Sequence, residues 1–307
     1  MHVRTARGRR ILSSIMIVVT TPTGSIGHQV LEHIADSGVA IRVIVRDPAR
    51  LPAPLRDQVD VVVGSHGDPA VVDRAFAGAE CVFWLAPPDP RAASIAAAFV
   101  DFARPACAAL QRHAVKRVVG VSALGRGFTL AAGYVTASLA MDDLIASTGV
   151  AYRALAMPSF MDNVLRQVDA IKHRGVFVSS IRPDLKLPTC ATRDIAAVAA
   201  KLLLDPSWRG TAEVPVLGPE DLSHDDMARI MSEVLGTPVR YQQISLAALT
   251  AAMIERGVSP AMAQGRADMM AAKDAGLDSA VARTPERSTP TTFRAWCEQI
   301  LKPAVHG

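Results

Sequence analysis

The sequence predicts an α/β protein with a doubly wound, parallel-sheet Rossmann fold and a smaller C-terminal α+β lobe. Three observations lead to this fold class. An apolar run at 17–20 ends in a small-residue turn and is followed by an amphipathic helical segment. Further apolar, β-branched runs then alternate with helical segments, which is the pattern of a parallel sheet covered on both faces. After Pro158 this alternation becomes irregular.

The elements follow from periodicity and from helix-terminating residues. The near-continuous hydrophobic runs predict strands at 15–20, 41–46, 59–63, 81–86, 117–122 and 151–156. Helical periodicity predicts helices at 25–37, 69–76, 92–112 and 134–147, then 194–204, 223–235, 253–256 and 260–275, with a short strand at 213–217. Gly38 and Gly149 lie just past two of these helices, where a left-handed residue is favoured. Asp194 is a candidate N-cap, and Ser223 begins a Ser-x-x-Asp capping pattern.

The turn after the first strand has the residue pattern that binds the diphosphate of a dinucleotide. Residues 21–27 read Thr-Pro-Thr-Gly-Ser-Ile-Gly, which is the G-x-x-G-x-x-G spacing with threonine at the first glycine position. Glycine lets the backbone approach the phosphates, and the helix N-terminus supplies free N–H groups and the positive end of its dipole. The candidate diphosphate-binding residues are therefore Thr21, Thr23, Gly24, Ser25, Ile26 and Gly27.

The end of the second strand favours NADP(H) over NAD(H). NAD-preferring folds place a carboxylate there to accept hydrogen bonds from the adenosine ribose. This chain has Val45 followed by Arg46, with Arg50 one turn later. A guanidinium fork matches the 2′-phosphate of NADP and offers the NAD ribose no acceptor. The alternative is that Arg46 is an ordinary surface arginine. Asp47 precedes a proline, and we expect it to cap the next turn.

These patterns divide the chain into three regions. We expect a disordered extension at 1–15, with Met16 as a natural first residue. An NAD(P)-binding Rossmann domain follows at 16–157. The smaller substrate-binding lobe spans 158–307, and the chain has enough length there to return to the sheet.

Composition excludes several other function classes. The chain has 307 residues and a net charge of +4, with no basic cluster interleaved with aromatics, so we expect no nucleic-acid partner. Apolar runs are shorter than a membrane span, and histidines and carboxylates lack metal-ligand spacing, so we expect neither a membrane nor a metal. Isolated cysteines are typical of buried thiols in a reducing compartment, which favours a cytoplasmic location; here they are Cys81, Cys107, Cys190 and Cys297.

Seven sequence blocks, in order, carry a family resemblance. They are Val-Thr-Thr-Pro-Thr-Gly-Ser-Ile-Gly (19–27), Val-Arg-Asp-Pro (45–48), Gly-Ser-His-Gly-Asp-Pro (64–69), Lys-Arg-Val-Val-Gly-Val-Ser-Ala (116–123), Met-Pro-Ser-Phe-Met-Asp-Asn (157–163), Arg-Asp-Ile-Ala (193–196) and Thr-Pro-Thr-Thr-Phe-Arg-Ala-Trp (289–296). Over residues 16–303 the chain resembles the NmrA-like family, an atypical branch of the short-chain dehydrogenase/reductase superfamily. The resemblance implies NADP(H) bound by the glycine turn and Arg46, by Ser65 and His66 near the adenine, and by the loop of Leu85, Ala86 and Pro87.

The chain departs from the catalytic pattern of that superfamily. Its reductases have a serine at the strand that Ser122 ends, then Tyr-x-x-x-Lys on the next helix, where the lysine lowers the tyrosine pKa. Here Tyr134 is followed by Ser138 at the lysine position. Ser138 shares a helix face with Tyr134 and can bond a ribose hydroxyl, but it supplies no positive charge. Tyr134 and Ser122 are the catalytic candidates, Ser122 and Ser138 are also cofactor candidates, and the alternative for Tyr134 is a pocket wall.

Met157 is a second departure, because the family usually has arginine before the proline. Its apolar side chain suits a pocket for a flat hydrophobic substrate beside Pro158 and Phe160, which are also cofactor candidates. The expected pocket residues are Trp84, Phe128, Tyr134, Met157, Phe160 and Met161. For Trp84 and Met161 the alternative is a core position. We expect Asp142 and Asp143 on the helix exterior.

The leading hypothesis is an NADPH-dependent reductase of a small hydrophobic conjugated acceptor, such as a quinone or polycyclic aromatic. Hydride addition to a quinone gives an aromatic phenolate, which is stable without a proton supplied in the transition state, so alignment of the reactants suffices. The alternative is a non-catalytic NADP(H)-sensing regulator of the NmrA-like type, since disuse would also remove the lysine. The expected partner is a hydrophobic small molecule, and a homodimer is left open.

Overall fold

A computed structural model describes residues 15–307, so the extension expected at 1–15 lies outside the described residues except for Ile15. The β-strands of this range are β1 (Met16–Thr20), β2 (Ala40–Val45), β3 (Asp60–Val63), β4 (Cys81–Trp84), β5 (Arg117–Ala123), β6 (Ala151–Met157), β7 (Ser159–Phe160), β8 (Val176–Ser179), β9 (Leu187–Cys190), β10 (Thr211–Pro215), β11 (Asp221–Leu222) and β12 (Arg240–Gln243). The α-helices of the same range are α1 (Ser25–Ile34), α2 (Ala53–Arg56), α3 (Pro69–Phe76), α4 (Phe102–Arg112), α5 (Tyr134–Ala146), α6 (Val168–Arg174), α7 (Thr192–Leu204), α8 (His224–Leu235), α9 (Leu246–Glu255), α10 (Pro260–Asp274), α11 (Phe293–Trp296) and α12 (Lys302–His306).

The main sheet has seven parallel strands in the order β10-β6-β5-β4-β1-β2-β3. The chain winds outward from β1 in one direction and from β4 in the other. The neighbouring strands β1 and β4 therefore form the topological switch point, where open α/β sheets bind their ligands. This topology confirms the doubly wound Rossmann fold. Strand β10 comes from the segment expected in the smaller lobe, so the chain does return to the sheet.

Two apolar layers cover the main sheet. On one face, α3, α4 and α5 pack through buried residues that include Phe76, Leu110 and Met141. On the other, α1 and α7 pack through residues that include Leu31 and Ile195. Complete burial of a large aliphatic or aromatic side chain stabilises the fold by about 1.5–3 kcal/mol. These layers explain why the six near-continuous hydrophobic runs of the sequence, which predicted strands, do not alternate with polar residues.

The smaller lobe has two small sheets, β11-β9-β7 and β12-β8, packed with α8 and the C-terminal helices. The capping pattern at Ser223 is confirmed, because its side chain and that of Asp226 form a reciprocal capping box. The N-cap expected at Asp194 is wrong. Helix α7 begins two residues earlier, and the Asp194 carboxylate accepts hydrogen bonds from the backbone and hydroxyl of Thr291, at 3.1 and 2.8 Å.

The helix expected at 92–112 begins later and in a different form. A π-helical turn spans Ala97–Asp101, and α4 continues from Phe102 with Pro105 inside it. Proline has no N–H to donate to the carbonyl of Asp101, four residues back. The hydrogen-bond ladder is therefore interrupted next to the π-helical turn.

All four cysteines are buried and unpaired. Burial raises the pKa of Cys81 to about 12 and that of Cys107 to about 11. It also raises the pKa of Cys297 to about 12 and holds that of Cys190 well above its usual value. Within 15–307, no helix combines the length and apolar character needed to cross a bilayer.

Candidate cofactor and substrate site

The carboxyl ends of the parallel strands bring most of the candidate residues to one edge of the main sheet, called here the carboxyl edge. The glycine turn follows β1, the arginine pair follows β2, and Ser65 with His66 follows β3. The loop of Leu85, Ala86 and Pro87 follows β4, Ser122 lies near the end of β5, and Pro158 and Phe160 follow β6. Edges of this kind are where doubly wound sheets bind nucleotides.

The turn after β1 has a left-handed residue at its start. Thr21 has φ +50°, a conformation that glycine adopts freely and β-branched residues rarely adopt. This value explains why a glycine is expected at that position. The Thr21 carbonyl accepts a hydrogen bond from Gly24 N–H at 3.0 Å, and a Cβ added to Gly27 would lie 2.2 Å from the same oxygen. Glycine at position 27 is therefore required for the tight packing of α1 against the turn.

The residues of this turn fit a diphosphate. The N-terminus of α1 has no capping side chain and no acidic residue in its first turn, so its first N–H groups remain available to an anion. The Thr21 hydroxyl is buried and has no hydrogen-bond partner among the described residues. A buried hydroxyl without a partner costs free energy unless a ligand supplies one. A dinucleotide diphosphate would be held by the α1 N–H groups and the Thr21 hydroxyl.

The end of β2 presents cations rather than a carboxylate. Arg46 and Arg50 are both exposed there. The Asp47 carboxylate accepts a hydrogen bond from Ala49 N–H at 3.0 Å and caps a short 3-10 turn, as expected. The Asp47 carboxylate is therefore engaged within the turn that it caps. The arrangement suits the 2′-phosphate of NADP better than the ribose hydroxyls of NAD.

His66 is buried against the loop after β4. Its Nε2 lies 2.9 Å from the Leu85 carbonyl, and its ring meets Trp84 and Phe102 edge-on at centroid distances of 5.2 and 4.9 Å. A carbonyl only accepts, so Nε2 carries the proton. Burial lowers the pKa of His66 to about 4, and the charge of Arg46 acts in the same direction. The imidazole is therefore neutral at physiological pH and fixes the loop that follows β4.

The lowered pKa of His66 predicts an acid-dependent loss of stability. The unfolded chain takes up the proton near pH 6.5 and the folded chain near pH 4, so the free energy of unfolding falls as the pH drops through this window. At pH 5 the expected loss from this residue is roughly 2 kcal/mol. Urea unfolding at pH 7 and pH 5 should show a smaller difference for His66→Gln than for the wild type. Equal differences would contradict the assignment.

Ser122 belongs to a buried polar network. Its hydroxyl donates a short hydrogen bond to one carboxylate oxygen of Asp142, and the Tyr152 hydroxyl donates to the other at 2.6 Å. The exterior position expected for Asp142 is therefore wrong, since the residue is only 2% exposed. Burial raises its pKa to about 6, against the opposing effect of both hydrogen bonds. The Ser122 hydroxyl is thus directed toward α5. Asp143, the neighbour of Asp142 in the sequence, forms an ion pair with Arg126.

Tyr134 begins α5 close to the carboxyl edge. Its hydroxyl donates to the Met262 carbonyl of α10 at 2.8 Å, and burial raises its pKa above the usual value. Ser138, one turn later at the expected lysine position, is buried. No cation therefore lowers the Tyr134 pKa from that position. The charge of Arg266 on α10 acts to lower it, but the effect of burial is larger, so the phenol is a weaker acid than in water.

Burial separates the six expected pocket residues into two groups. Trp84, Met157 and Met161 are at most 1% exposed and lie in the packed core, which corrects the pocket role expected for them. The Trp84 indole points to the Met141 sulfur at 3.5 Å. The partly exposed residues are Phe128 in the loop after β5, Tyr134 at the start of α5, and Phe160 in β7, just after β6. These three remain candidates for contact with a substrate.

Sequence reasoning missed two cationic side chains on α10. Lys273 is buried and forms an ion pair with the buried Asp278, with 2.5 Å between Nζ and Oδ2. Arg266, nearer the start of the helix, is partly buried beside Tyr134. A lysine and an aspartate five residues apart across a helix end were a detectable signal. Arg266 had none, since its environment depends on how α10 packs.

Comparison with known proteins places this geometry in a family. The model of the NAD(P)H-binding family matches residues 22–206, and the model of the NmrA-like family matches residues 139–297. The (4-alkanoyl-5-oxo-2,5-dihydrofuran-3-yl)methyl phosphate reductase of Streptomyces griseus subsp. griseus is 30% identical over 92% of this chain and 96% of its own length. Quinone oxidoreductase 2 of Escherichia coli is 26% identical over 85% and 87%, respectively.

A solved structure agrees with the fold. The Citrobacter sp. triphenylmethane reductase complexed with NADP(H) has a TM-score of 0.75 and 21% identity, covering 92% of this chain and 98% of its own. The glycine turn, the switch point at β1 and β4 and the order of the elements are those of a nicotinamide-dinucleotide fold. The chain belongs to the NmrA-like family and has the family's NAD(P)H-binding domain.

Proposed function

We propose that the protein is an NADPH-dependent reductase of a small hydrophobic conjugated acceptor, with quinones as the first substrate class. The observation that carries this proposal is the weak acidity of the Tyr134 hydroxyl. Its hydroxyl is bonded to a backbone carbonyl, its pKa is raised by burial, and a serine occupies the position of the activating lysine. The site therefore offers binding surfaces but a poor general acid.

A poor acid favours some hydride acceptors over others. Bound NADPH supplies a hydride, and reduction of a simple ketone then requires a proton on the alkoxide as it forms. Addition to a quinone instead yields a phenolate stabilised by aromaticity. Such a substrate needs alignment at the carboxyl edge more than proton transfer. Phe128 and Phe160 are the partly exposed aromatic side chains that would hold a flat ring there.

The relatives support a reductase. Both relatives described above bear names of reductases or oxidoreductases, and one of these names specifies a quinone. The cofactor proposal rests on the α1 N-terminus and the exposed Arg46. The other candidate cofactor contacts are the residues that follow the carboxyl ends of the strands, at the carboxyl edge.

The substrate proposal is tested by NADPH oxidation with menadione, a neutral quinone, against cyclohexanone, a simple ketone. We expect turnover with menadione and none above background with cyclohexanone. The reverse preference would contradict the proposal. NADPH binding without turnover of quinones, imines or enals would favour the dinucleotide-sensing regulator instead.

The cofactor preference is tested with Arg46→Ala. Removing a charge-assisted contact to the 2′-phosphate should weaken NADPH binding by about tenfold or more and leave NADH binding unchanged. Fluorescence titration with both dinucleotides measures the effect. Arg56→Ala, an exposed arginine at the end of α2, is the matched control and should retain the preference. Equal NADPH affinity in Arg46→Ala and wild type would remove the role given to Arg46.

A further inference from the structure

A chain of hydrogen bonds joins α1 to the segment that follows Phe160. The side-chain amide of Gln29, in α1, donates to the Thr192 hydroxyl at 3.1 Å. That hydroxyl donates to one carboxylate oxygen of Asp162 at 2.8 Å, and the Thr192 backbone N–H donates to the other at 2.9 Å. Asp162 lies two residues after Phe160. These three side chains, of Gln29, Thr192 and Asp162, are called here the Thr192 bridge.

The direction of each bond in the Thr192 bridge follows from its chemistry. A carboxylate only accepts, so the Thr192 hydroxyl gives its single proton to Asp162. Its oxygen then accepts from Gln29, whose amide nitrogen is the group that can donate. Thr192 is 3% exposed, so bulk water has little access to these bonds. Valine has the shape of threonine but can neither donate nor accept, and it would therefore break the bridge.

The first end of the Thr192 bridge lies at the diphosphate-binding turn. The Gln29 amide nitrogen also donates to the Ser25 carbonyl at 2.5 Å, and Ser25 is the first residue of α1. The N–H groups available to the diphosphate belong to this same first turn of α1. The start of α7, where Thr192 lies, is therefore bonded directly to the cofactor-binding part of α1.

The second end of the Thr192 bridge lies beside the aromatic part of the proposed substrate site. Phe160 in β7 pairs with Cys190 in β9. Asp162 follows Phe160, and Thr192 follows Cys190, two residues further along each chain segment. The Asp162 carboxylate also accepts from the first N–H of α7, whose N-cap residue Ala191 has no capping side chain. The backbone on both strands of this pair is thus fixed by the bridge.

We propose that Thr192 is a positioning residue that sets the placement of Phe160 relative to the bound dinucleotide. Through Phe160 it aligns the acceptor ring with the hydride donor, and this consequence rests on the proposed function. The mechanical link between the cofactor turn and residues 160–167 does not depend on that function. A displacement of about 1 Å between reacting groups can lower a rate by about 100-fold. Thr192 therefore needs no contact with either reactant.

The kinetic test uses menadione as the acceptor. Thr192→Val should lower kcat by about tenfold or more, and should change the KM of menadione and the Kd of NADPH by less than about threefold, because the binding surfaces remain. Thr192→Ser keeps the hydroxyl and should keep kcat within about twofold. Gln29→Met opens the bridge at α1 alone and should also lower kcat. The double variant should be no slower than Thr192→Val, since Gln29 then has no bridge to complete.

Thr291→Val is the matched control. The Thr291 hydroxyl donates to the Asp194 carboxylate at 2.8 Å, and the residue is 4% exposed, so the substitution removes a similar bond from a similarly buried position. This bond lies outside the Thr192 bridge. Both valine variants should unfold at a lower urea concentration than the wild type, but only Thr192→Val should lower kcat. Equal losses of kcat in the two variants, or an unchanged kcat in Thr192→Val, would overturn the proposal.

Amide hydrogen exchange with and without NADP⁺ tests the link without turnover. In the wild type, NADP⁺ should slow exchange at residues 24–30 and, through the bridge, at residues 161–167. In Thr192→Val it should slow exchange at 24–30 alone. Slower exchange at 161–167 in both proteins, or in neither, would contradict the link. If the wild type does not reduce menadione, the proposed function fails, and the exchange result alone decides the role of Thr192.

Discussion

Lys273→Met is expected to lower the free energy of unfolding by about 3–5 kcal/mol, because it leaves the carboxylate of Asp278 buried without its cation. Lys273 is 5% exposed and Asp278 is 1% exposed. The second carboxylate oxygen of Asp278 has no hydrogen-bond partner among the described residues, so the lysine is its main compensation. Burial already raises the pKa of Asp278 despite the neighbouring ammonium group. Urea denaturation measures the effect.

Two controls distinguish loss of charge pairing from loss of packing. The double variant Lys273→Met/Asp278→Leu should recover most of the stability, since replacing both partners by apolar groups removes the uncompensated charge. Arg104→Met breaks the exposed pair with Asp101, whose atoms are 2.9 Å apart, and should cost less than about 1 kcal/mol. A double variant as unstable as Lys273→Met would show that packing, and not charge, controls this site.

Gly27→Ala is expected to lower both stability and cofactor affinity. The new Cβ would lie 2.2 Å from the Thr21 carbonyl oxygen and 3.2 Å from that of Thr20, so α1 must move away from the turn. Overpacking of this kind costs about 1–3 kcal/mol and occasionally more. Displacement of the α1 N-terminus also moves the N–H groups offered to the diphosphate. We expect NADPH affinity to fall at least about tenfold.

Gly24→Ala is the matched control for the steric argument. Its Cβ would lie 3.4 Å from the same Thr21 oxygen, an ordinary contact, and Gly24 has φ −85°, which alanine adopts readily. Its thermal unfolding should stay close to that of the wild type. If Gly27→Ala is as stable as Gly24→Ala, the close approach of residue 27 to the Thr21 carbonyl oxygen is not essential to the fold.

The sequence was most informative where one local rule decides the structure. The alternation of hydrophobic strands and helices predicted the parallel sheet, and the capping pattern at Ser223 predicted the start of α8. The turn at 21–27 was recognised despite Thr21, whose positive φ shows that threonine here keeps the conformation of a glycine. Turn and helix-cap conformations depend on residues that are adjacent in the sequence, so they can be predicted without knowledge of the tertiary structure.

Positions decided by tertiary packing were harder to predict. Asp142 was expected outside because it is charged, yet it lies one turn after Ser138 on the same helix face, a spacing that could have indicated burial. Trp84, Met157 and Met161 are apolar whether they line a pocket or a core, and composition does not distinguish these environments. The position of Arg266, next to the glycine of α10 that packs against Tyr134, depends on how α10 approaches α5. No spacing in the sequence encodes that approach.

The buried cysteines have a consequence for the proposed reduction of quinones. Quinones and related enones are electrophiles to which thiolates add, and the thiolate rather than the thiol is the reactive species. With pKa values of about 11 or 12 for Cys81, Cys107 and Cys297, and a strongly raised value for Cys190, almost no thiolate exists at neutral pH. The cysteine thiols of the folded chain are thus expected to react poorly with the compounds proposed as its substrates, and unfolding should expose them to alkylation.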